Sequence, residues 1–379
     1  MLPVTEERPV HPRRVLLTAD TVGGVWTYAL DLARGLSDHG VVAVLATLGP
    51  EPDAVQRAAA AEVPGLSLRT LDQPLDWLAR SENELREAAA AVATLAARCD
   101  ADLVHLHSPA LGAVRFPATV VAGCHSCVLT WWRAMRPTEP VPADFRWRAA
   151  MVSAGLDAAC LRIAPTAAFA RSTAEAHGLA DPPRVVHNGR RRPPPRPTSP
   201  RRDLVLTAGR LWDEAKDAAT LDRAAGLLHI PVLAAGPTRG PNGMRLATRH
   251  VRLLGTLDAA SLREQLAETA IFVSCARYEP FGLAVLEAAQ AGCALVLADI
   301  PGFRELWQGA AAFFPPGDAP ALAETLRRLR QVAPERQALA DAARARANHY
   351  SLEAMTSGTL RLYADALRHE RLSAASAAA

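Results

Sequence analysis

The chain has 379 residues, half of them hydrophobic and 21% charged, with a formal net charge of +3. That length suits two domains with sizeable cores, and so small a charge gives no reason to expect nucleic acid as a partner. No apolar run reaches the roughly 18 residues of a membrane span, and the opening MLPVTEERPVHPRR has no signal-peptide core, so a cytoplasmic protein is expected. Of six scattered cysteines only Cys124 and Cys127 are close, with no second pair to complete a zinc site, so free thiols are expected. Lys216 is the sole lysine in a chain otherwise served by Arg. A compact, mobile ammonium is not reproduced by Arg's planar fork.

Residues 1–13 are expected to be disordered. Val15–Thr18 reads as a strand and Val25–Leu36 as an amphipathic helix, with Gly23 and Gly24 in the loop between them. Glycines before a helix start offer backbone N–H groups to a phosphate or a sugar hydroxyl; a plain tight turn is the alternative. There is no G-x-G-x-x-G fingerprint, and the second strand, Val41–Thr47, lacks a ribose-binding acid, which disfavours a nicotinamide cofactor. Helical periodicity runs from Leu75 to Ala97. Asp100-Ala101-Asp102 looks like a metal-binding D-x-D, but it precedes the strand Leu103–His107 and so lies at the wrong edge of a parallel sheet for a ligand. His107, and His125 beyond the strand Thr119–Ala122, belong to the same carboxyl edge as the glycine pair. The segments WWRAMR (131–136) and DFRWRA (144–149) offer a peripheral membrane contact through 131–148, or a solvated face with packed Trp.

Strands at Leu161–Ala164 and Arg184–His187 complete a first domain, 14–189, and the Pro- and Arg-rich segment 190–202 reads as a linker. A second alternation of strands and helices fills 203–350, with strands at Leu204–Ala208, Pro231–Ala235, Val251–Leu254, Ile271–Ser274, Ala294–Leu297 and Ala311–Phe314. Such alternation implies an α/β protein with parallel sheets. Arg210 and Lys216 follow the first of these strands, where two cations suit a diphosphate. Glu279 lies in the loop beyond Ile271–Ser274, and Glu287 sits in a helix, Leu283–Ala291, that is apolar on every face. A carboxylate buried there needs a partner; one surface acid and one capped or ion-paired Glu is the bland alternative. A terminal helix, Leu352–Arg371, precedes a tail, 372–379, expected to fray.

AGRLWDEAKD followed by CARYEPFGLAVLEAAQAG resembles the donor-site motifs of family 4 glycosyltransferases, which have the GT-B fold of two Rossmann-like domains facing across a cleft. TADTVGGVWTYALDLARGL, LVHLHSPA, VVAGCHSC, VVHNG, LVLADIPGFREL and FFPPGDAPALAETL fill the family's usual places in order, so the resemblance covers about 14–370. It implies that Arg210 and Lys216 hold a sugar-nucleotide diphosphate, that Glu279 contacts the transferred sugar and that Glu287 binds the ribose. The backbone of Phe281, Gly282 and Leu283 would meet sugar and phosphate, with His125 facing the sugar and Gly23 and Gly24 near phosphate or acceptor. The last helix would cross back to the first domain. DIPGFREL departs from the family's glycine-rich turn, although Glu305 stays in place. The implied activity is retaining, metal-independent transfer from a nucleoside-diphosphate sugar to an acceptor hydroxyl, in glycan, glycolipid or secondary-metabolite synthesis, with no other cofactor. A sugar-nucleotide epimerase and a catalytically silent sugar-nucleotide-binding protein are the alternatives.

Overall fold

The structure is a computed structural model that describes residues 11–192, 201–228 and 230–378. Two parallel sheets account for its strands. The first lobe runs β1 (Arg14–Asp20), α1 (Gly24–Asp38), β2 (Val42–Leu48), α2 (Ala54–Ala61), β3 (Ser67–Thr70), α3 (Glu82–Arg98) and β4 (Leu103–Leu106). It continues with β5 (Thr119–Gly123), α4 (Val128–Met135), α5 (Ala143–Ala158), β6 (Leu161–Ala164), α6 (Ala167–His177) and β7 (Arg184–Val185). The second lobe runs β8 (Arg202–Ala208), α7 (Ala218–Ala225), β9 (Val232–Ala235), β10 (Arg252–Gly255), α8 (Ala259–Glu268) and β11 (Thr269–Ser274). Then come α9 (Leu283–Ala291), β12 (Ala294–Ala298), α10 (Pro301–Trp307), β13 (Ala312–Phe314), α11 (Ala319–Gln331), α12 (Ala333–Ala347) and α13 (Leu352–Ala378).

The strand orders are β3-β2-β1-β4-β5-β6-β7 and β10-β9-β8-β11-β12-β13. In each, the first strand of the lobe lies inside the sheet, so the order reverses beside it and opens a crevice at the carboxyl edge. Central strands such as β12 are buried along their whole length, as a parallel sheet covered on both faces requires. Each sheet separates two apolar layers. The layer on the α1 side of the first sheet includes Leu352, Met355, Leu360 and Tyr363 of α13, so the last helix completes the first lobe. Gly35 makes that packing close, since a Cβ there would lie 1.9 Å from Thr356 Oγ1.

Several elements differ from the sequence expectation. The helix expected from Leu75 begins at Glu82, because Ser81 accepts the Glu84 N–H at 3.2 Å and caps it. Leu75 and Ala79 are buried all the same, as loop residues packed over the core. The edge elements α2 and β3 were not anticipated. The last helix, α13, is assigned from Leu352 to Ala378, seven residues beyond the expected end at Arg371. Of the expected disordered segment, residues 1–10 lie outside the described residues, as do 193–200 of the linker. Arg190, expected at the start of that linker, is instead bonded to both lobes. Among the described residues no helix is long and apolar enough to cross a membrane.

Candidate active site

Contacts between the lobes join segments that follow the carboxyl ends of strands. Thr166 after β6 donates to Pro280 O after β11 at 3.0 Å. The Tyr278 hydroxyl reaches Thr130 at 2.8 Å and Ser126 at 3.1 Å. Glu305 of α10 accepts the N–H groups of Ala167 and Ala168 at 2.8 and 2.7 Å, placing a carboxylate at the positive end of α6. Trp77 stacks on Trp212 at 6.3 Å. The two carboxyl edges therefore face each other across one cleft.

On the second lobe, β8 ends at Ala208, and the chain leaves the sheet through Gly209 and Arg210 into a short 3₁₀ turn, Glu214–Lys216. Asp213 caps this turn by accepting the Ala215 N–H at 3.0 Å. The Arg277 N–H donates to Ala215 O at 2.8 Å, which ties the turn to the loop carrying Glu279. Lys216 Nζ is consequently bonded to Glu279 Oε2. Both residues line one pocket together with Thr207, Ser274 and Gly282. Gly282 has φ +91° and its Cβ would crowd Phe303 and Glu279, so it turns the chain into α9 without a side-chain cap. Gly282, Ala284 and Val285 at the start of α9 line the pocket. Phe281 turns its ring into the core, 5.7 Å from Tyr350, and only its backbone borders the loop.

Arg210 faces the other lobe. Its guanidinium is bonded to Asp213 Oδ2 at 3.0 Å and lies 5.8 Å from the ring of Trp212. A Cβ on Gly23 would be 2.6 Å from Arg210 Nη1, and one on Gly24 would be 3.5 Å from Leu283. Gly23 thus leaves room for the Arg210 guanidinium, whereas a Cβ on Gly24 would make only ordinary contact. Its amides are less open than the sequence suggests, since Asp20 accepts the N–H groups of Val22 and Gly23, each at 2.8 Å.

His125 closes the first-lobe side. Its ring lies 4.4 Å from Tyr28 and 5.1 Å from His107, which is 4.4 Å from His105. His105 Nδ1 meets the Tyr363 hydroxyl at 2.7 Å. Burial pushes His125 down to about 4 and His105 to about 3, and holds His107 well below the ordinary value of 6.5. All three are neutral at pH 7. His177, bonded to Ser153 at 2.8 Å, is likewise lowered to about 4 by burial. An unfolded chain takes up these protons near pH 6.5 and the folded chain does not, so stability is full above that pH and falls as pH drops toward 4. The melting temperature at pH 5 is expected to lie several degrees below that at pH 7, as read by circular dichroism.

Glu287 is not among the residues lining the cavity. Its carboxylate is paired with Arg190, which also meets Asp31 Oδ2 at 3.0 Å. The structure thus shows Glu287 ion-paired. Sequence reasoning missed Asp20, Arg190 and the bridging Tyr278. A signal for Arg190 was present, since it directly follows Asn188-Gly189 at a carboxyl strand end. The D-x-D is structural: Asp102 accepts the N–H groups of Arg13 and Arg14 at 2.7 and 2.8 Å at the opposite edge. In the 131–148 segment, Arg136 bonds Glu214 across the cleft at 2.8 Å, and buried Arg148 pairs with Asp144. Trp132 packs edge-on against Phe145 at 5.4 Å.

No curated protein sequence matches the chain. Solved structures do. Sucrose-phosphate synthase from Thermosynechococcus elongatus superposes with a TM-score of 0.77 at 19% identity, over 96% of this chain and 100% of that one. Anabaena HepE in complex with UDP-glucose gives 0.70 at 19%, over 95% and 100%. WaaG, a glycosyltransferase involved in lipopolysaccharide biosynthesis, gives 0.69 at 16%, over 92% and 99%. These likenesses establish the GT-B fold. The model for Glycosyltransferase Family 4 matches residues 22–191, and that for Glycosyl transferases group 1 matches 202–331. With both lobes matched in order, the chain belongs to the group 1, family 4 glycosyltransferases.

Proposed function

We propose that the protein transfers a sugar, with retention at the anomeric carbon and without a metal ion, from a nucleoside-diphosphate sugar to an acceptor hydroxyl. The observation that carries this reading is the pairing of the sole lysine, Lys216, with Glu279 in one cavity, beside Arg210 at the cleft. Departure of a nucleoside diphosphate builds negative charge on phosphate and positive charge on the sugar. Two fixed cations opposing the first are stabilising in a site shielded from water. Glu279 leaves Lys216 for the sugar hydroxyls when the diphosphate arrives, so each half of the resting pair gains a substrate partner. His125, neutral and half-buried, faces the sugar from the first lobe. HepE binds UDP-glucose, which supports a nucleotide-sugar donor.

A thermal-shift panel of uridine, guanosine and adenosine diphosphates and their sugars tests the reading. One nucleotide is expected to raise the melting temperature by mass action, and turnover of its sugar should persist in EDTA with the anomeric configuration retained by NMR. A product formed without an acceptor would favour the epimerase. No shift with any nucleotide would overturn the proposal.

A further inference from the structure

Arg190 stands where the chain passes between the lobes. Its N–H donates to Tyr350 O at 3.1 Å and its carbonyl accepts the Leu352 N–H at 3.2 Å. The outward and return crossings therefore run side by side, bridged at Arg190 and Ser351. Gly189 allows this, since a Cβ there would lie 2.0 Å from Ser351 O. The side chain also serves both lobes. Its Nε donates to Asp31 on α1, and a terminal nitrogen pairs with Glu287 Oε1 on α9. Asp31 is only 5% exposed, so one end of the chain of charges is fixed within the first lobe. Arg34, 3.6 Å from Asp31, reinforces that end.

We infer that Arg190 is a positioning residue for the donor: the Asp31–Arg190–Glu287 chain sets the Glu287 carboxylate toward the ribose and ties its orientation to the closure of the lobes. This rests on the donor reading proposed above. An ionised carboxylate has two oxygens and about four lone-pair sites. Arg190 takes Oε1, which leaves Oε2 to accept ribose hydroxyls. The planar guanidinium presents separate donors to Asp31 and Glu287 at fixed angles, which a lysine's point charge does not. Because α1 begins at the glycine pair facing Arg210 and carries Asp31 further along, the ribose and diphosphate ends of the donor are referred to the same helix.

Calorimetry on the full chain tests this. The diphosphate that wild type binds, among those of uridine, guanosine and adenosine, is compared with its 2′,3′-dideoxy analogue on wild type and R190Q. R190Q is expected to weaken the ribose-bearing ligand about tenfold, the scale of one charge-assisted hydrogen bond, and to leave the dideoxy analogue unchanged. R190K should fall between. D31N, which frees Arg190 while keeping its contact with Glu287, should show the same selective loss at smaller size, and it carries the test if R190Q does not fold. Equal weakening of both ligands, or of neither, overturns the inference while the donor reading stands. A wild type that binds none of the three overturns both.

Discussion

Lys216→Ala is expected to lower turnover by about 10²–10³-fold or more, the cost of removing a donor aimed at developing negative charge. The geometry makes the experiment more informative than a simple deletion, because the ammonium is bonded to Glu279 in the resting chain. With side chains 21% and 16% exposed, the pair is largely withdrawn from water, and removing Lys216 strands a carboxylate there. Part of any loss could then come from the fold. K216A/E279Q separates the two effects. It removes the stranded charge, so its melting temperature should return toward wild type while transfer stays lost. Near-normal turnover in either variant would sink the assignment of Lys216 to the leaving diphosphate, and a double variant as unstable as K216A would show that the instability has another source.

Gly155→Ala is expected to destabilise the first lobe, although propensity alone predicts the reverse. Alanine is favoured over glycine inside a helix by about 1 kcal/mol, and Gly155 lies within α5. A Cβ at this position, however, would sit 1.8 Å from Pro109 O and 3.2 Å from Gly112 Cα. The obstacle is backbone on both sides, in the 3₁₀ turn Pro109–Ala113 that follows β4, so no side chain can swing away. Overpacking of this kind costs about 1–3 kcal/mol or more, and here the required shift exceeds what a rotamer change absorbs. The steric effect should win, leaving a net loss of roughly 2 kcal/mol in urea unfolding followed by tryptophan fluorescence. An unchanged or higher midpoint would mean that the turn yields freely. The turn begins directly after His107 and Ser108, so a displacement would also reach the histidine layer beside the cleft.

The strands of the second lobe were legible because a doubly covered parallel strand is a short continuous apolar run, and IFVS and ALVL are such runs. Edge strand β3, SLRT, is half exposed and carries no such run. The start of α3 was misread because Leu75 and Ala79 are buried at near-helical spacing without being helical. Ser81 and Glu84, spaced as in a capping box, marked the true start. Which edge carries the site followed from chain direction, since loops after parallel strands share one side. Partner choice did not. That Glu287 goes to Arg190 depends on how two lobes close on each other, and that Lys216 goes to Glu279 depends on a sheet that sets β8 beside β11; no local periodicity records a contact between residues nearly 100 apart, as Arg190 and Glu287 are. Gly23 shows the same limit: sequence placed it beside the site, whereas its service as a gap for Arg210 is visible only with both lobes present.

The docking of α13 on the first lobe has a consequence for synthesis. Leu352, Met355, Leu360 and Tyr363 belong to the apolar layer beneath α1, yet the first sheet is finished at Val185. A ribosome adding about 5–20 residues per second needs on the order of 10–30 s to cover that interval. Throughout it the nascent first lobe presents an open apolar groove along α1, while the second lobe is made and folds. The final helix therefore acts as the closing stave of the earliest-made half, and a nascent chain stalled short of it would be a target for chaperones even with its donor lobe complete.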